Sequence, residues 1–369
     1  MKGLLPVLIH VLSISLIISQ DYPKKKFYKR EKHAAKIMGR DDRKYGDHSG
    51  NRVLCRFYNH GSIGDQSSSF SGVYPIGSGH SYIWEFSPVV AASVVDTNGF
   101  RRHIVSDGIS GLVDASPEGT PWSFEPLSGY SNPNQENLAM SDNENSWPNS
   151  WPNRTEDWNG EWNGQYGKYV RADQESYFVV DDRYNSEFEF WPDQNDIPED
   201  PTVSPDEHRR GLGIEMEARG YQWNHPAAED IIIVTYWITN VGSSVLDSVV
   251  FGMYGDADIG GASSFSDDDA WFDTENDMVY QWDHDNWSSS YGGFRPAYFG
   301  WSFLESPGNP HDGIDNDGDG MIDESQFDGV DNDGDWDPER DDIGADGLAN
   351  FHINYTCLLY TSPSPRDLV

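Results

Sequence analysis

The densest chemistry in the chain lies in two aspartate strings that begin sixteen residues apart. The first reads Asp312-Gly313-Ile314-Asp315-Asn316-Asp317-Gly318-Asp319-Gly320-Met321-Ile322-Asp323-Glu324, and the second reads Asp328-Gly329-Val330-Asp331-Asn332-Asp333-Gly334-Asp335-Trp336-Asp337-Pro338-Glu339. Calcium takes six to eight hard oxygen ligands, and a short loop supplies them by setting carboxylates at alternate positions around a tight turn. Asp315, Asp317 and Asp319 fall at the first, third and fifth places of such a loop. Gly320 takes the sharp-turn place, and Asp323 the ninth, where a ligand often acts through water. Asp331, Asp333 and Asp335 repeat the spacing, and Asp337 follows them. There, however, Trp336 stands where the turn wants glycine, a residue that cannot easily take the left-handed backbone. The second string is expected to be a poorer site or an extension of the first.

Electrostatics sharpens the choice. Two carboxylates about 4 Å apart repel by roughly 4 kcal/mol at an effective dielectric of about 20. A tight loop with several such pairs is therefore either metal-filled or unfolded. Residues 309–342 hold twelve Asp and two Glu against one Arg, about a third of the whole chain's net charge of −37. Gln326 and Asp342 stand where a bidentate Glu would close each loop, so affinity is expected in the roughly 10⁻⁴–10⁻³ M range of extracellular modules.

The string Asp-Gly-x-Asp-Asn-Asp-x-Asp-Gly-x-x-Asp-Glu resembles the calcium repeats of thrombospondin type-3 and the related bacterial metal-binding modules. That resemblance implies calcium as the ligand and covers about 35 residues. More broadly, residues 51–350 resemble large secreted bacterial proteins of the type IX-exported kind. The phrases that carry this are Gly77-Ser78-Gly79-His80, Asp173-Gln174-Glu175-Ser176-Tyr177, Arg210-Gly211-Leu212-Gly213 and Phe303-Leu304-Glu305-Ser306-Pro307-Gly308. That resemblance implies no assigned activity.

Other candidate sites are weaker. Asp256 and Asp258 close an apolar run, and Asp267-Asp268-Asp269 with Asp273 follow a Gly/Ser loop, a density that could hold a further calcium or simply face solvent. In the turn-rich stretch 122–169, Ser146-Trp147-Pro148-Asn149 is echoed by Ser150-Trp151-Pro152-Asn153, and Trp158-Asn159-Gly160 by Trp162-Asn163-Gly164. These indoles could stack sugars or could pack on their own domain. No zinc-helix, nucleophile-elbow or phosphate-loop motif is present. The expected function is a calcium-binding structural or adhesion protein of the cell surface, without catalysis. The alternative is a glycan-binding or glycan-degrading protein that uses residues 147–162.

The elements that would position these residues read as all-β. Val89 to Val95 and Arg102 to Ser106 flank Asp96-Thr97-Asn98-Gly99, a hairpin signal. Leu212, Ile214, Met216 and Ala218 alternate with Gly213, Glu215, Glu217 and Arg219. The run from Ile231 to Thr239 is apolar on both faces, as a central strand covered on both sides must be, and it is expected to pair across residues 240–244 with the run from Val245 to Tyr254. No long helical period occurs. An antiparallel β-sandwich with long aromatic loops is expected over 51–305, then calcium repeats over 306–347.

The ends bound the compartment. Lys2 precedes an apolar run over residues 4–18 with Ser19 after it, the pattern of a secretory signal peptide over 1–19. Residues 20–50 form a basic leader in which ten of the 25 Lys and Arg lie between Lys24 and Lys44. Secretion follows as an expectation, with no membrane span in the mature chain. The acidic body excludes nucleic acid as a partner and leaves calcium and an extracellular glycan or surface polymer. Only Cys55 and Cys357 are present, so no disulfide framework supports the fold. Residues 357–369 resemble the translated read-through of a sequencing-library adapter, so residues 348–356 are expected to begin a further region of the natural chain.

Overall fold

The computed structural model describes residues 8–18, 43–64, 70–110, 115, 122–193, 209–261, 264–273 and 278–305. Both aspartate strings, with Asp315, Asp317, Asp319, Asp323, Asp331, Asp333, Asp335 and Asp337, lie outside these residues. Among the described residues there are fourteen strands, short 3-10 turns and no α-helix, so the expected all-β class holds.

The strands are β1 (Leu8–Ile18), β2 (Tyr45–His48), β3 (Cys55–Tyr58), β4 (Ile83–Val95), β5 (Arg101–Asp107), β6 (Glu125–Pro126) and β7 (Ala139–Met140). They continue with β8 (Gln174–Asp181), β9 (Ile214–Gln222), β10 (Ile233–Asn240), β11 (Asp247–Ala257), β12 (Asp268–Asp273), β13 (Met278–Asp283) and β14 (Tyr298–Glu305). The larger sheet runs β12-β13-β14-β1-β10-β9-β8-β6, with β7 also on β8. The other layer is β11-β4-β5, to which the β2-β3 hairpin is joined through Ile63. Every pairing is antiparallel except those of β1, which runs parallel to β10 and to β14.

One core lies between the layers. The larger sheet contributes Phe178, Val180, Ile214, Met216, Ala218, Val234, Tyr236, Ile238 and Phe299, and the smaller one Phe57, Phe86, Val90, Ala92, Val94 and Ile104. Large rings bridge the gap: Phe86 meets Phe299 and Trp301 edge-on at 5.1 and 4.7 Å. The alternation expected from Ile214 to Ala218 is the inward face of β9, and Glu215 and Glu217 face outward. Asp96 closes the β4–β5 turn by accepting the Asn98 and Phe100 N–H groups on one carboxylate oxygen, and Gly99 takes the left-handed backbone at φ +81°.

Two expectations need correction. The apolar runs on either side of residues 240–244 do not pair with each other. Strand β10, apolar on both faces, takes neighbours at both edges, and the chain then crosses to the other layer, where β11 pairs β4. Second, the β region starts before residue 51. Tyr45 to His48 pair with Tyr58 to Cys55, and Arg43 anchors the start with a bidentate grip on Glu125, 2.7 and 3.1 Å. The backbone of residues 8–18, within the span of the expected signal peptide, pairs with β10 and β14. No helix among the described residues is long and apolar enough to cross a membrane.

Candidate metal centre

The acidic group after β11 gathers at one end of the β12–β13 hairpin. A 3-10 turn at Phe265–Asp267 leads into β12, and antiparallel register sets Asp268 directly across from Asp283. After β13 the chain turns sharply, with Asn286 at φ +56°, and returns Asp285 to the same end. Asp267, Asp283 and Asp285 then each offer one carboxylate oxygen, all within 4.8 Å of one another.

Asp283 is the fixed member. It is buried, and its two oxygens accept the Trp287 N–H and the Ser264 hydroxyl, both at 2.8 Å. Asp267 and Asp285 are exposed and line the approach. Beside them, Asp268 accepts the Ile259 N–H at 2.8 Å on one oxygen, while its other oxygen is buried without a partner. Burial pushes the Asp268 carboxyl up to about 7, and the charges of Asp283, Asp258 and Asp267 add to the effect. Burial and the Asp256 charge raise Asp258 in the same direction.

The spacing of these oxygens is compatible with a hard cation. Calcium holds oxygens at 2.3–2.6 Å, so two donors on opposite sides of one ion stand roughly 4.8 Å apart. Three side-chain donors would leave about three to five positions for carbonyls or water. The donor set is all oxygen, which suits calcium and not a thiolate-loving metal.

Of the sequence candidates in this region, the fold brings Asp258, Asp267 and Asp268 together and separates the others. Asp269 points to the opposite face and bonds His284 Nδ1 at 2.6 Å, which raises the imidazole above its ordinary value. Asp273 closes the far end of β12, opposite Met278, and Asp256 sits across from Glu85 on β4. Sequence reasoning missed Asp283 and Asp285. Their signal was an Asp-x-Asp step at the end of an apolar run, the same alternate spacing that marks the aspartate strings.

No family model matches the chain, and no curated protein or solved structure matches it.

Of the two readings of the four indoles, sugar stacking or packing on their own domain, the geometry is that of packing. Trp151 and Trp162 are buried at 3 % and 2 % exposure, under the outer face of β8 with Tyr130, Tyr177 and Val179. Trp147 and Trp158 are half-buried against that cluster. The indole N–H groups are satisfied internally: Trp147 donates to the Met140 carbonyl, Trp151 to the Glu161 carbonyl and Trp162 to the Glu175 carboxylate. Trp158 lies against Arg154 and Lys168. The physical reason is that β8 is buried on both faces. Phe178 and Val180 enter the central core, so Tyr177 and Val179 need a second cover, which the Trp turns supply.

Proposed function

We propose that the chain is a secreted or cell-surface calcium-binding protein with a structural or adhesive role. The observation that carries this reading is the doubled Asp-Gly-x-Asp-Asn-Asp-Gly-Asp string at Asp312 and Asp328. An acidic linker under no metal-binding demand has no reason to repeat eight residues in register. The convergence of Asp267, Asp283 and Asp285 supports a second site of the same chemistry on the sandwich itself. Calcium at both places would stiffen the sandwich and the segment that follows it, a suitable arrangement for an exported protein with only two cysteines.

Calorimetric titration of the chain with calcium tests the proposal. Binding in the range of about 10⁻⁴–10⁻³ M is expected, and it should weaken when Asp315, Asp317 and Asp319 are changed together to Asn. No heat of binding below about 10 mM calcium would overturn it.

A further inference from the structure

Several aromatic side chains of this protein that carry a polar group spend that group internally. The indoles of Trp147, Trp151 and Trp162 do so, and so do the hydroxyls of Tyr177, Tyr221 and Tyr82. One group behaves differently. On the outer face of β12, β13 and β14, Trp271 lies across from Tyr280, and Tyr280, Trp282 and Tyr298 form a continuous run of rings. Their centroids are 5.6, 5.8 and 6.1 Å apart, with Trp282 and Tyr298 inclined by only 29°. Trp271 is 63 % exposed, and the other three are half-buried. None of the four makes a hydrogen bond to another described residue through its polar atom. The register also puts Asp269 beside Trp282 on this face, where it holds the exposed His284.

We infer that this face binds a neutral polysaccharide. The ring faces carry partial negative charge and an apolar surface, which suits the C–H face of a pyranose. The phenol and indole edges, with the Asp269–His284 pair, offer donors and acceptors to the hydroxyls at its rim. Charge narrows the class further. Asp269 stands beside Trp282 in a chain of net charge −37, so uronate or sulfated polymers are repelled. Size excludes a protein or a second copy of this chain. With Trp271 63 % exposed and the other three half-buried, the four rings offer an accessible patch on the order of 300 Å². A stable protein partner needs about 800 Å² from each side. The inference uses different residues from the calcium reading and stands without it.

The test is retention of the full chain on native affinity gels cast with hydroxyethyl cellulose, xylan, galactomannan or β-1,3-glucan, each run with calcium and with chelator. Alginate and heparin gels run in parallel, and sedimentation velocity reports oligomeric state. Retention by at least one neutral polymer is expected, and it should fall at least tenfold for Trp271→Ala and Tyr280→Ala. Trp287→Ala, at an exposed aromatic outside strands β12–β14, should leave it unchanged. Circular dichroism of each variant confirms folding. Retention lost only in chelator, and unchanged in Trp271→Ala, would place the sugar at a calcium site and overturn the inference. No retention by the neutral polymers, retention by the anionic polymers alone, or a dimer abolished by Trp271→Ala would each overturn it too.

Discussion

Removing acidic charge from the β12–β13 end should stabilise the protein in chelator and abolish part of its response to calcium. The perturbation is the double substitution Asp267→Asn and Asp285→Asn, which spares the hydrogen-bonded Asp283. At the 4.8 Å limit separating these oxygens, each pair of charges repels by about 0.9 kcal/mol in bulk water and about 3.5 kcal/mol at a dielectric of 20. Both substituted residues are exposed, so the lower value applies. Removing all three pairwise repulsions should then raise metal-free stability by about 1–3 kcal/mol. For the unaltered protein, a site with a dissociation constant near 1 mM gains about 1.4 kcal/mol in 10 mM calcium. That corresponds to a rise in Tm of about 3–6 °C for a domain of this size. Scanning fluorimetry on the tryptophans, with sodium chloride matched for ionic strength, reads both effects. The variant should melt higher than the parent in chelator and lose this site's calcium shift, while a triple Asn variant at Asp315, Asp317 and Asp319 keeps it. A variant that melts lower in chelator and keeps the whole calcium shift would refute the reasoning, since the carboxylates would then be making bonds instead of repelling one another.

Further outcomes follow from the same geometry. Asp268 holds its proton more tightly when folded, up to about 7 against an ordinary 3.8, so the folded state binds more protons between those values. Its contribution to stability is therefore complete at acid pH and lost as pH rises through about 7. Asp268→Asn should flatten urea-derived stability across that window and raise Tm at pH 7.5 by a few degrees. Asp182 accepts the N–H groups of Leu212, Gly213 and Ile214 and the Ser106 hydroxyl, so Asp182→Ala strands four buried donors. Urea denaturation should register a loss of at least about 3 kcal/mol. Trp162→Ala, which empties the cover of β8, should cost about 3–5 kcal/mol in the same assay, whereas the half-buried Trp158→Ala should cost about 1 kcal/mol. N-terminal sequencing of exported protein should begin near Gln20, and recovery of a chain that keeps residues 8–18 would refute the leader reading.

What the sequence made legible were features whose causes are local. The β4–β5 turn is specified by Asp96, Asn98 and Gly99 within four residues, and the inward face of β9 by a strict alternation. Strand β8 was opaque for the opposite reason. All eight of its residues are buried, yet Gln174, Glu175, Ser176 and Asp181 are polar. They are tolerated because distant partners satisfy them: the N–H groups of Ser49 and Gly50 reach Gln174, and His48 meets Ser176 at 2.8 Å. Burial keeps that imidazole neutral, with its value down to about 3. Partners more than a hundred residues away leave no local trace. The same limit hid the acidic site, since half of it arrives on β12 and half beyond β13. It also hid which indoles lie beneath the Trp turns, since the repeated Trp motifs look alike and only their distance from β8 separates cover from surface.

Acidity alone therefore does not mark a ligand site in this chain, because many of its carboxylates are structural. What separates them is acceptor capacity left unspent. One oxygen of Glu85 accepts the Ser62 and Ser87 hydroxyls together with the N–H and hydroxyl of Ser110. Glu175 accepts the N–H groups of Arg171 and Ala172 and the Trp162 indole. Asp182 is caged by four donors. In each of these places the sequence supplies several donors to the carboxylate, although burial still raises the Asp182 carboxyl to about 6. Asp268 has one backbone donor, a second buried oxygen with nothing to accept, and three carboxylates whose charges raise it further. Such a carboxyl is relieved either by keeping its proton, the direction its raised value takes, or by a divalent cation, and the calcium proposal rests on the second route.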